Sequence, residues 1–256
     1  MVWYESPLLA SAGLPHAFST RQGGVSPPPF DSLSFGNPAG PAQDVWENIE
    51  ENYRRLQTAI GAADRKVLRV HQMHGCGVMV ARREIVWDMH AKADAVVASQ
   101  PDCLASVRVA DCTPVLLAAA DGRAVAAVHA GWRGVVAGVV PRAVVELRKV
   151  APNAPLLAAI GPCIGMEAFE VGAEVLEAFV ALLGERAPIR ACAGGKGRVD
   201  LRRAIALQLQ DAGLPPENID MTDRCTVEHA GEFFSHRRDQ GVTGRMVAMI
   251  GTARKI

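Results

Sequence analysis

The chain has 256 residues, 49% hydrophobic and 21% charged, a composition typical of a folded globular protein and not of a disordered one. Lysine plus arginine and aspartate plus glutamate balance at 27 each, so no net field favours nucleic acid, an anionic membrane or an acidic partner. No apolar run approaches the ~18 residues of a membrane-spanning helix, and no basic segment precedes an apolar block near residue 1. We therefore expect a cytoplasmic protein that binds neither nucleic acid nor membrane.

Six cysteines are scattered along the chain without a C-x-x-C pair. In a cytoplasmic chain of this length we expect them to be reduced. Most are then small buried apolar residues, and at most one or two have a chemical role.

The first part of the chain predicts a strand, a loop and a helix. Residues 14–22 favour a strand, and the glycines and prolines of 23–29 predict a long loop of the kind that often lines a site. Arg21 enters this loop, where it either contacts an anionic substrate group or is an ordinary exposed arginine. Apolar residues at helical spacing then predict a helix that Asp44 caps and Gly61 ends.

Two histidines lie in the segment 66–81, which predicts a strand interrupted by Gly75 and Gly77. Side chains three residues apart in a strand point to opposite faces, so only one of His71 and His74 can face a site. We expect His74, beside the glycines that permit close approach, to be that residue and His71 to be structural.

Residues 91–99 and 103–112 predict two more strands, and the second ends at Asp111 and Cys112. Side chains at strand ends can converge on a pocket. Asp111 is expected either to orient a ligand or to hold the loop.

A β-hairpin is the clearest local prediction. The apolar runs 115–120 and 124–128 flank Asp121 and Gly122, and such a pair predicts a two-residue type I′ turn, in which both residues have φ > 0. A three-residue loop would instead shift the register by one and move alternate side chains to the other face.

The two-residue loop places a cysteine near a histidine. It opposes His129 to Pro114 and sets Cys112 diagonally across from His129 on the same face. A thiolate and an imidazole so placed can share one metal ion. The alternative is that Cys112 is a buried apolar residue and His129 a structural one.

A glycine-rich turn follows this hairpin. Gly131 and Gly134 leave backbone N–H groups exposed beside Arg133, a pattern that can hold phosphate but is also common without a ligand. A helix is predicted next, with Pro141 in its first turn.

The last part of the chain mixes helices and strands. We predict a strand over 156–160, a helix over 167–183, a helix capped by Asp200 and ended by Gly213, a polar loop over 223–245 and a strand over 246–250. The loop is either a solvated surface or closes over a substrate through its residues 235–239, which include His236 and Arg237. Without a strict βαβ alternation, these elements predict a single α+β domain over 1–256, with mixed sheets flanked by helices.

Several motifs together resemble one family, the laccase-domain proteins, also labelled polyphenol oxidase, purine nucleoside phosphorylase or peptidoglycan editing factor. The motifs cover nearly the whole chain in the family's order: STRQGGVS (19–26), HQMHG (71–75), ADCTP (110–114), HAGWRG (129–134), IGPCIG (160–165), FEVG (169–172) and DRCT…FFSHRRD…TGR (223–245). HAGWRG, ADC and the last motif are the specific ones.

The resemblance implies a single-domain α+β fold similar to that of cysteine hydrolases. It also implies a zinc ion held by His74, Cys112 and His129. The family's activities are phosphorolysis of adenosine, inosine, guanosine and methylthioadenosine, adenosine deamination, and copper-dependent oxidation of phenols. One departure concerns substrate range, because Ser34 stands where family members commonly have asparagine.

We therefore expect a zinc enzyme acting on purine nucleosides and phosphate, with copper as the alternative metal. Arg21, Asp111, Arg133, His236 and Arg237 are the candidate substrate-binding residues. No feature of the sequence assigns an oligomeric state.

Three other functions stay open. Cys112 and His129 could form a metal-free nucleophile–base pair of a deamidase-like hydrolase. A copper-dependent phenol oxidase is less favoured, because a multicopper centre needs more clustered histidines than the seven present, which include no H-x-H pair. A non-catalytic module binding a nucleoside or a cell-wall fragment is the third.

Overall fold

Two mixed β-sheets pack face to face at the centre of the molecule. The computed structural model describes residues 1–36, 42–82 and 86–254. The strands there are β1 (Trp3–Tyr4), β2 (His16–Ser19), β3 (Lys66–Leu68), β4 (Val78–Val80), β5 (Ala95–Ala98), β6 (Cys103–Val109), β7 (Thr113–Ala119), β8 (Val125–Ala130), β9 (Leu156–Ile160), β10 (Glu170–Val171), β11 (Ile189–Ala191), β12 (Gly197–Val199), β13 (Ile219–Met221) and β14 (Met246–Gly251).

The helices lie mainly outside these sheets. They are α1 (Pro7–Ser11), α2 (Trp46–Ala59), α3 (Trp132–Val136), α4 (Val139–Val150), α5 (Ala173–Leu183) and α6 (Leu201–Asp211), with short 3₁₀ turns at Met166–Ala168, Gly184–Arg186, Ala193–Gly195 and Pro216–Asn218. Within the described ranges, no helix combines the length and apolar character needed to cross a bilayer.

Parallel and antiparallel pairs occur in both large sheets. One sheet has the order β1-β2-β14-β6-β3 and the other β13-β9-β7-β8-β5-β4, while β10-β12-β11 form a small third sheet. The pairs β3–β6, β4–β5 and β9–β13 are parallel, and the others are antiparallel. The predicted α+β class with mixed sheets is confirmed.

The hairpin strands are buried on both faces. In β7, Leu116 and Ala118 pack toward the five-stranded sheet, whereas Val115 and Leu117 pack toward α4 and α6. A strand covered on both sides has no solvent face, which explains why the sequence there is apolar without alternation. Helix α2 covers the other face of the five-stranded sheet.

The hairpin has the predicted register but not the predicted turn. The N–H of Ala119 donates to the carbonyl of Ala124, and the N–H of Gly122 donates to the carbonyl of Ala119. Only Gly122, at φ +71°, takes the left-handed conformation, while the φ of Asp121 is negative, so the type I′ prediction is wrong. The last paired residues are Ala119 and Ala124, one residue before the predicted pair of Ala120 and Arg123. The connection therefore has four residues, 120–123, and not two.

Two other elements differ from the sequence prediction. The predicted strand over 66–81 is divided into β3 and β4, which belong to different sheets, so the argument from opposite strand faces does not apply to the histidines between them. The predicted helix over 167–183 begins only at Ala173, because β10 is instead drawn into antiparallel pairing with β12.

Two predicted helix caps had different outcomes. Asp200 accepts from the N–H of Arg203 and caps α6 as predicted. Asp44 does not cap α2, whose first helical residue is Trp46; its Oδ1 accepts instead from the N–H of Val45 and the amide of Asn48.

A buried histidine joins the N-terminal helix to β2. The Nε2 of His16 accepts from the N–H of Ser6 at 2.8 Å, and its Nδ1 donates to the carbonyl of Leu14 at 2.8 Å. This pair of bonds requires a neutral imidazole, since a protonated ring would present a donor to the Ser6 N–H. Burial accordingly lowers the pKa of His16 below its ordinary value of 6.5.

We predict that His16 makes the fold sensitive to mild acid. The unfolded chain takes up the proton first, so the free energy of unfolding contributed by this group is present above about pH 6.5 and is lost as the pH falls below it. Urea unfolding in a chelating buffer at about pH 7.5 and about pH 5.5 should give a smaller pH-dependent loss for His16→Gln than for the wild type. The exposed His90→Gln variant is the control for losing an imidazole, and equal losses in His16→Gln and wild type would contradict the prediction.

Candidate metal centre

Four strand ends meet at one edge of the six-stranded sheet. The beginnings of β4, β5 and β7 and the end of β8 are brought together by the pairings of Val78 with Ala95, Ala95 with Val128, and Thr113 with Ala130. Residues just outside these strand ends therefore become neighbours although they lie far apart in sequence.

His74, Cys112 and His129 converge at this edge. Their candidate ligand atoms all lie within 4.8 Å of one another. The two imidazoles meet edge to face, with ring centroids 4.8 Å apart and planes at 81°. His129 is buried, Cys112 partly buried and His74 exposed, so the group opens to solvent on one side. Pro114 lies opposite His129, and Cys112 lies two residues beyond, in the register the sequence predicts.

The three donors suit a borderline-soft metal ion. One thiol and two imidazole nitrogens are ligands that zinc accepts at about 2.3 Å and about 2.0 Å, and three protein ligands leave a fourth position for substrate or water. Among the described residues, this is the one group of at least three such side chains close enough to hold an ion.

Gly131 makes room for this cluster. A Cβ built on it would lie 2.8 Å from the Sγ of Cys112 and 3.3 Å from the Cδ2 of His74. A methyl group at this position would therefore collide with one candidate ligand and crowd another. Close approach of the backbone to the ligand set is the reason that glycine is required here.

Asp94, directly before β5, joins the two histidine segments. Its Oδ1 accepts from the Nδ1 of His129 at 2.8 Å, and its two oxygens also accept from the backbone N–H groups of Met73, His74 and Gly75. Because an ionised carboxylate only accepts, the Nδ1 of His129 carries the hydrogen and its Nε2 keeps a free lone pair for a ligand or a proton. Asp94 thus fixes both the ring of His129 and the loop of His74.

Electrostatics favour charged forms in this cluster. Burial alone would raise the pKa of the Cys112 thiol, but the nearby imidazoles, His129 foremost, outweigh burial and lower it. Burial opposes protonation of His129, but Cys112 and Asp94 together raise its pKa. Burial likewise opposes ionisation of Asp94, but the hydrogen bond and charge of His129, together with the backbone N–H groups of Gly75 and Met73, outweigh it and lower the pKa of the carboxyl.

Asp111 holds loops together with both carboxylate oxygens. Oδ1 accepts from the hydroxyl of Thr226 at 2.6 Å, and Oδ2 accepts from the backbone N–H of Arg237 at 2.7 Å. Its backbone takes φ +87°, a left-handed conformation that aspartate tolerates better than most residues. Of the two roles expected for Asp111, the structure favours loop support.

A cavity of about 420 Å³ opens over the three donors, within the range of small-molecule sites. Its wall includes the candidate residues Arg133, His236 and Arg237, all of them exposed. The guanidinium of Arg133 lies over the ring of Trp132 at 4.4 Å, and that of Arg237 lies 5.5 Å from the ring centre of Phe169. The roles of these three residues in binding substrate stay predictions.

Arg21 lies elsewhere on the surface. Its guanidinium donates to the carbonyl and carboxylate of Asp31 and to the carbonyl of Ala230, and it covers the ring of Phe234. It is not among the residues that line the cavity, and these contacts account for its position without a substrate.

Sequence reasoning missed Asp94 and two further arginines of the cavity wall, Arg108 and Arg245. Asp94 and Arg108 share a signal that was present, a charge inside an apolar strand segment, in KADAVV and in SVRV. Such a charge is costly to bury unless it has a partner or a function.

We predict that Asp94→Asn weakens metal binding about 10–100-fold, as is usual when a partner of a ligand histidine is changed. Four N–H groups converge on the two carboxylate oxygens of Asp94. Asparagine has only one acceptor oxygen, and its NH2 group would face some of these N–H groups as a second donor. Competition with a chelator measures the affinity, with Asp223→Asn at an exposed position as the control. Equal affinity of Asp94→Asn and wild type would remove Asp94 from this role.

A second prediction concerns the space at Gly131. Gly131→Ala should displace the Cys112 thiol and lower the metal content of the purified protein, because the new methyl group meets Sγ closer than van der Waals contact allows. Gly231→Ala, where a Cβ meets nothing within 4 Å, is the matched control. Metal analysis of both variants makes the comparison, and full metal occupancy in Gly131→Ala would refute the steric argument.

Comparison with known proteins gives consistent matches over nearly the whole chain. Residues 15–253 match the family described as multi-copper polyphenol oxidoreductase laccase. A Shigella flexneri protein named purine nucleoside phosphorylase YfiH is 40% identical over 240 residues, covering 93% of each chain. A Deinococcus radiodurans protein named purine nucleoside phosphorylase is 36% identical over 253 residues, covering 97% of this chain and 94% of its own.

Solved structures show the same fold. YlmD from Geobacillus stearothermophilus matches with a TM-score of 0.89 at 30% identity, covering 99% of this chain and 97% of its own. A Neisseria meningitidis protein matches with a TM-score of 0.84 at 32% identity, covering 99% of both chains.

Proposed function

We propose that this chain, which belongs to the family described as multi-copper polyphenol oxidoreductase laccase, is a zinc-dependent enzyme of purine nucleosides. Its reactions are phosphorolysis of adenosine, inosine, guanosine and methylthioadenosine, and deamination of adenosine. The names of the relatives, purine nucleoside phosphorylase, support an enzyme with nucleoside and phosphate as substrates. The convergence of His74, Cys112 and His129 at an open cavity is the observation that carries the proposal.

Zinc fits this donor set on the chemistry of the residues. The thiol is poised to ionise, and the Nε2 of His129 is left free by the bond from Nδ1 to Asp94. Bound by these residues, zinc would supply Lewis-acid chemistry to the substrate. Copper stays the alternative metal, because one thiolate and two imidazoles also suit it.

The chain's own residues bind and orient the substrate. The cavity accommodates a nucleoside-sized molecule, and its exposed side, near His74, gives access. In deamination, water adds at the purine C6 and ammonia leaves, giving inosine.

We predict that adenosine distinguishes the reactions. Incubation with phosphate should give adenine and ribose-1-phosphate, and incubation without phosphate should give inosine, both identified by chromatography. Cys112→Ser should lose both activities by at least ~100-fold together with its metal, because a hydroxyl is a poor zinc ligand. Cys192→Ser, on the surface between β11 and β12, is the control. Measurable nucleoside binding without any product would instead support a non-catalytic binding module.

A metal-free hydrolase is the second candidate, and the closeness of Cys112 to His129, whose donor atoms lie within 4.8 Å, favours it. The lowered pKa of Cys112 beside the raised pKa of His129 describes a thiolate–imidazolium pair, the arrangement of a cysteine nucleophile with its base. Elemental analysis of protein purified without added metal separates the candidates. One zinc per chain, lost together with activity in Cys112→Ser, supports the zinc enzyme. Full activity of the metal-free protein supports the hydrolase. Copper in place of zinc supports the phenol oxidase.

A further inference from the structure

Positive charge is concentrated on the wall of the cavity. The chain as a whole carries no net charge, yet the lining residues include four arginines, at 108, 133, 237 and 245, and one carboxylate, Asp111. Both oxygens of Asp111 already accept hydrogen bonds from the hydroxyl of Thr226 and the N–H of Arg237. The described wall therefore has more cationic groups than its carboxylate can neutralise, which favours an anionic ligand.

Two of these arginines, Arg108 and Arg245, are partly buried, whereas the other two are exposed. The Nη2 of Arg108 donates to the carbonyl of Val70 at 3.0 Å. The Nη1 of Arg245 donates to the carbonyls of Thr243 and Gly244. Neither guanidinium forms an ion pair with a carboxylate within residues 1–36, 42–82 and 86–254.

This arrangement is unfavourable without a ligand. Burial lowers the pKa of both groups, and a cationic neighbour lowers each further, Arg69 in the case of Arg108 and Arg108 in the case of Arg245. Cys112 and Asp111 act on the pKa of Arg245 in the opposite direction. Both nevertheless stay charged, because a guanidinium does not lose its proton under ordinary conditions. Because β6 pairs with β14, the two arginines lie close together. Neither forms an ion pair within the described residues, so an anion that both can contact stabilises the pair.

The backbone at both arginines is held in place. The N–H of Arg245 donates to the Oγ of Ser34 at 3.3 Å, and its carbonyl accepts from the N–H of Phe35 at 3.0 Å. The side-chain amide of Gln72 bonds both the N–H and the carbonyl of Arg108. Each side chain is therefore anchored at its base before a ligand arrives, which lowers the entropic cost of binding.

We propose that Arg108 and Arg245 together bind inorganic phosphate as the second substrate in the cavity that Cys112 and His129 also line. This assignment rests on the proposed phosphorolysis and names the residues that hold its nucleophile. A phosphate oxygen forms a bond to C1′ of the ribose while the bond from C1′ to N9 of the purine breaks. The purine leaves with that electron pair and gains the proton that phosphate loses.

The assignment separates the two reactions of the cavity. Deamination consumes water and needs no anion, whereas phosphorolysis needs phosphate to be held beside the ribose. Removing one guanidinium should therefore impair phosphorolysis more than deamination. The proposal assigns phosphate to Arg108 and Arg245 in place of Arg21, Arg133 and Arg237, the arginines that the sequence offered as substrate-binding residues.

Arg245→Gln and Arg108→Gln test the proposal in the metal-loaded enzyme. Each should raise the KM for phosphate and the calorimetric Kd for inorganic phosphate about 10-fold or more, the effect of losing a charge-assisted hydrogen bond. The ratio of inosine to adenine formed from adenosine should rise by a similar factor. The corresponding lysine variants, which keep the charge, should recover part of the phosphate affinity and guard against loss of folding.

Arg186→Met, which removes an exposed arginine paired with Asp211, is the control and should keep the wild-type ratio. Metal content is measured in every variant, so that loss of the ion is not mistaken for loss of phosphate binding. Phosphate affinity within about twofold of wild type in both glutamine variants, at full metal content, would overturn the proposal.

A second anion source is the 5′-phosphate of a nucleotide. If binding of AMP weakens in the glutamine variants while binding of inorganic phosphate does not, the pair serves a nucleotide and the proposal is wrong. If inorganic phosphate binds through the pair but no nucleoside is converted, the proposed function fails and the anion site stands, so the two failures are distinguishable.

Discussion

The candidate site depends on one buried carboxylate. Asp94 is 1% exposed and lies at the beginning of a strand whose next residues are all apolar and buried. A charge in that position is stable only if its lone pairs are satisfied, and here a histidine ring and three backbone N–H groups satisfy them. The hydrogen bonds that offset the cost of burying this charge also hold His74 and His129 next to each other.

The two parts of the proposed chemistry come from different sheets. Cys112 and His129 are attached to β7 and β8 of the six-stranded sheet, whereas Arg108 lies on β6 and Arg245 directly precedes β14, both in the five-stranded sheet. The short connection 110–112 passes from β6 to β7 and so joins the two sheets. The cavity lies at this junction, so the packing of the two sheets decides which residues line it.

The sequence predicted the parts of the site that depend on local pattern. The hairpin register, which brings Cys112 near His129, follows from two apolar runs and the loop between them. His74, and not His71, lies with Cys112 and His129, but both histidines line the cavity, so the prediction that only one of them faces the site is wrong. The segment is not a strand, and His74 is placed by its backbone bond to Asp94. That bond joins residues 20 apart, and no local pattern contains it.

The residues that were missed are those whose role comes from tertiary contacts. Arg108 and Arg245 are neighbours only because β6 pairs with β14 across more than half the chain. The helix predicted over 167–183 is shortened for a similar reason, since pairing of β10 with β12 overrides the local helical spacing. The α+β class, by contrast, follows from the mixture of elements and does not depend on these pairings.

The four-residue turn between β7 and β8 limits how this protein can vary in length. Side chains of paired strands alternate with a period of two, so adding or removing a single residue in 120–123 would invert the facing of one strand relative to the other. Cys112 and His129 would then lie on opposite faces unless a bulge absorbed the change. Changes of turn length that keep Cys112 and His129 on one face are therefore those of an even number of residues, a constraint that acts at the end of the hairpin farthest from these two side chains.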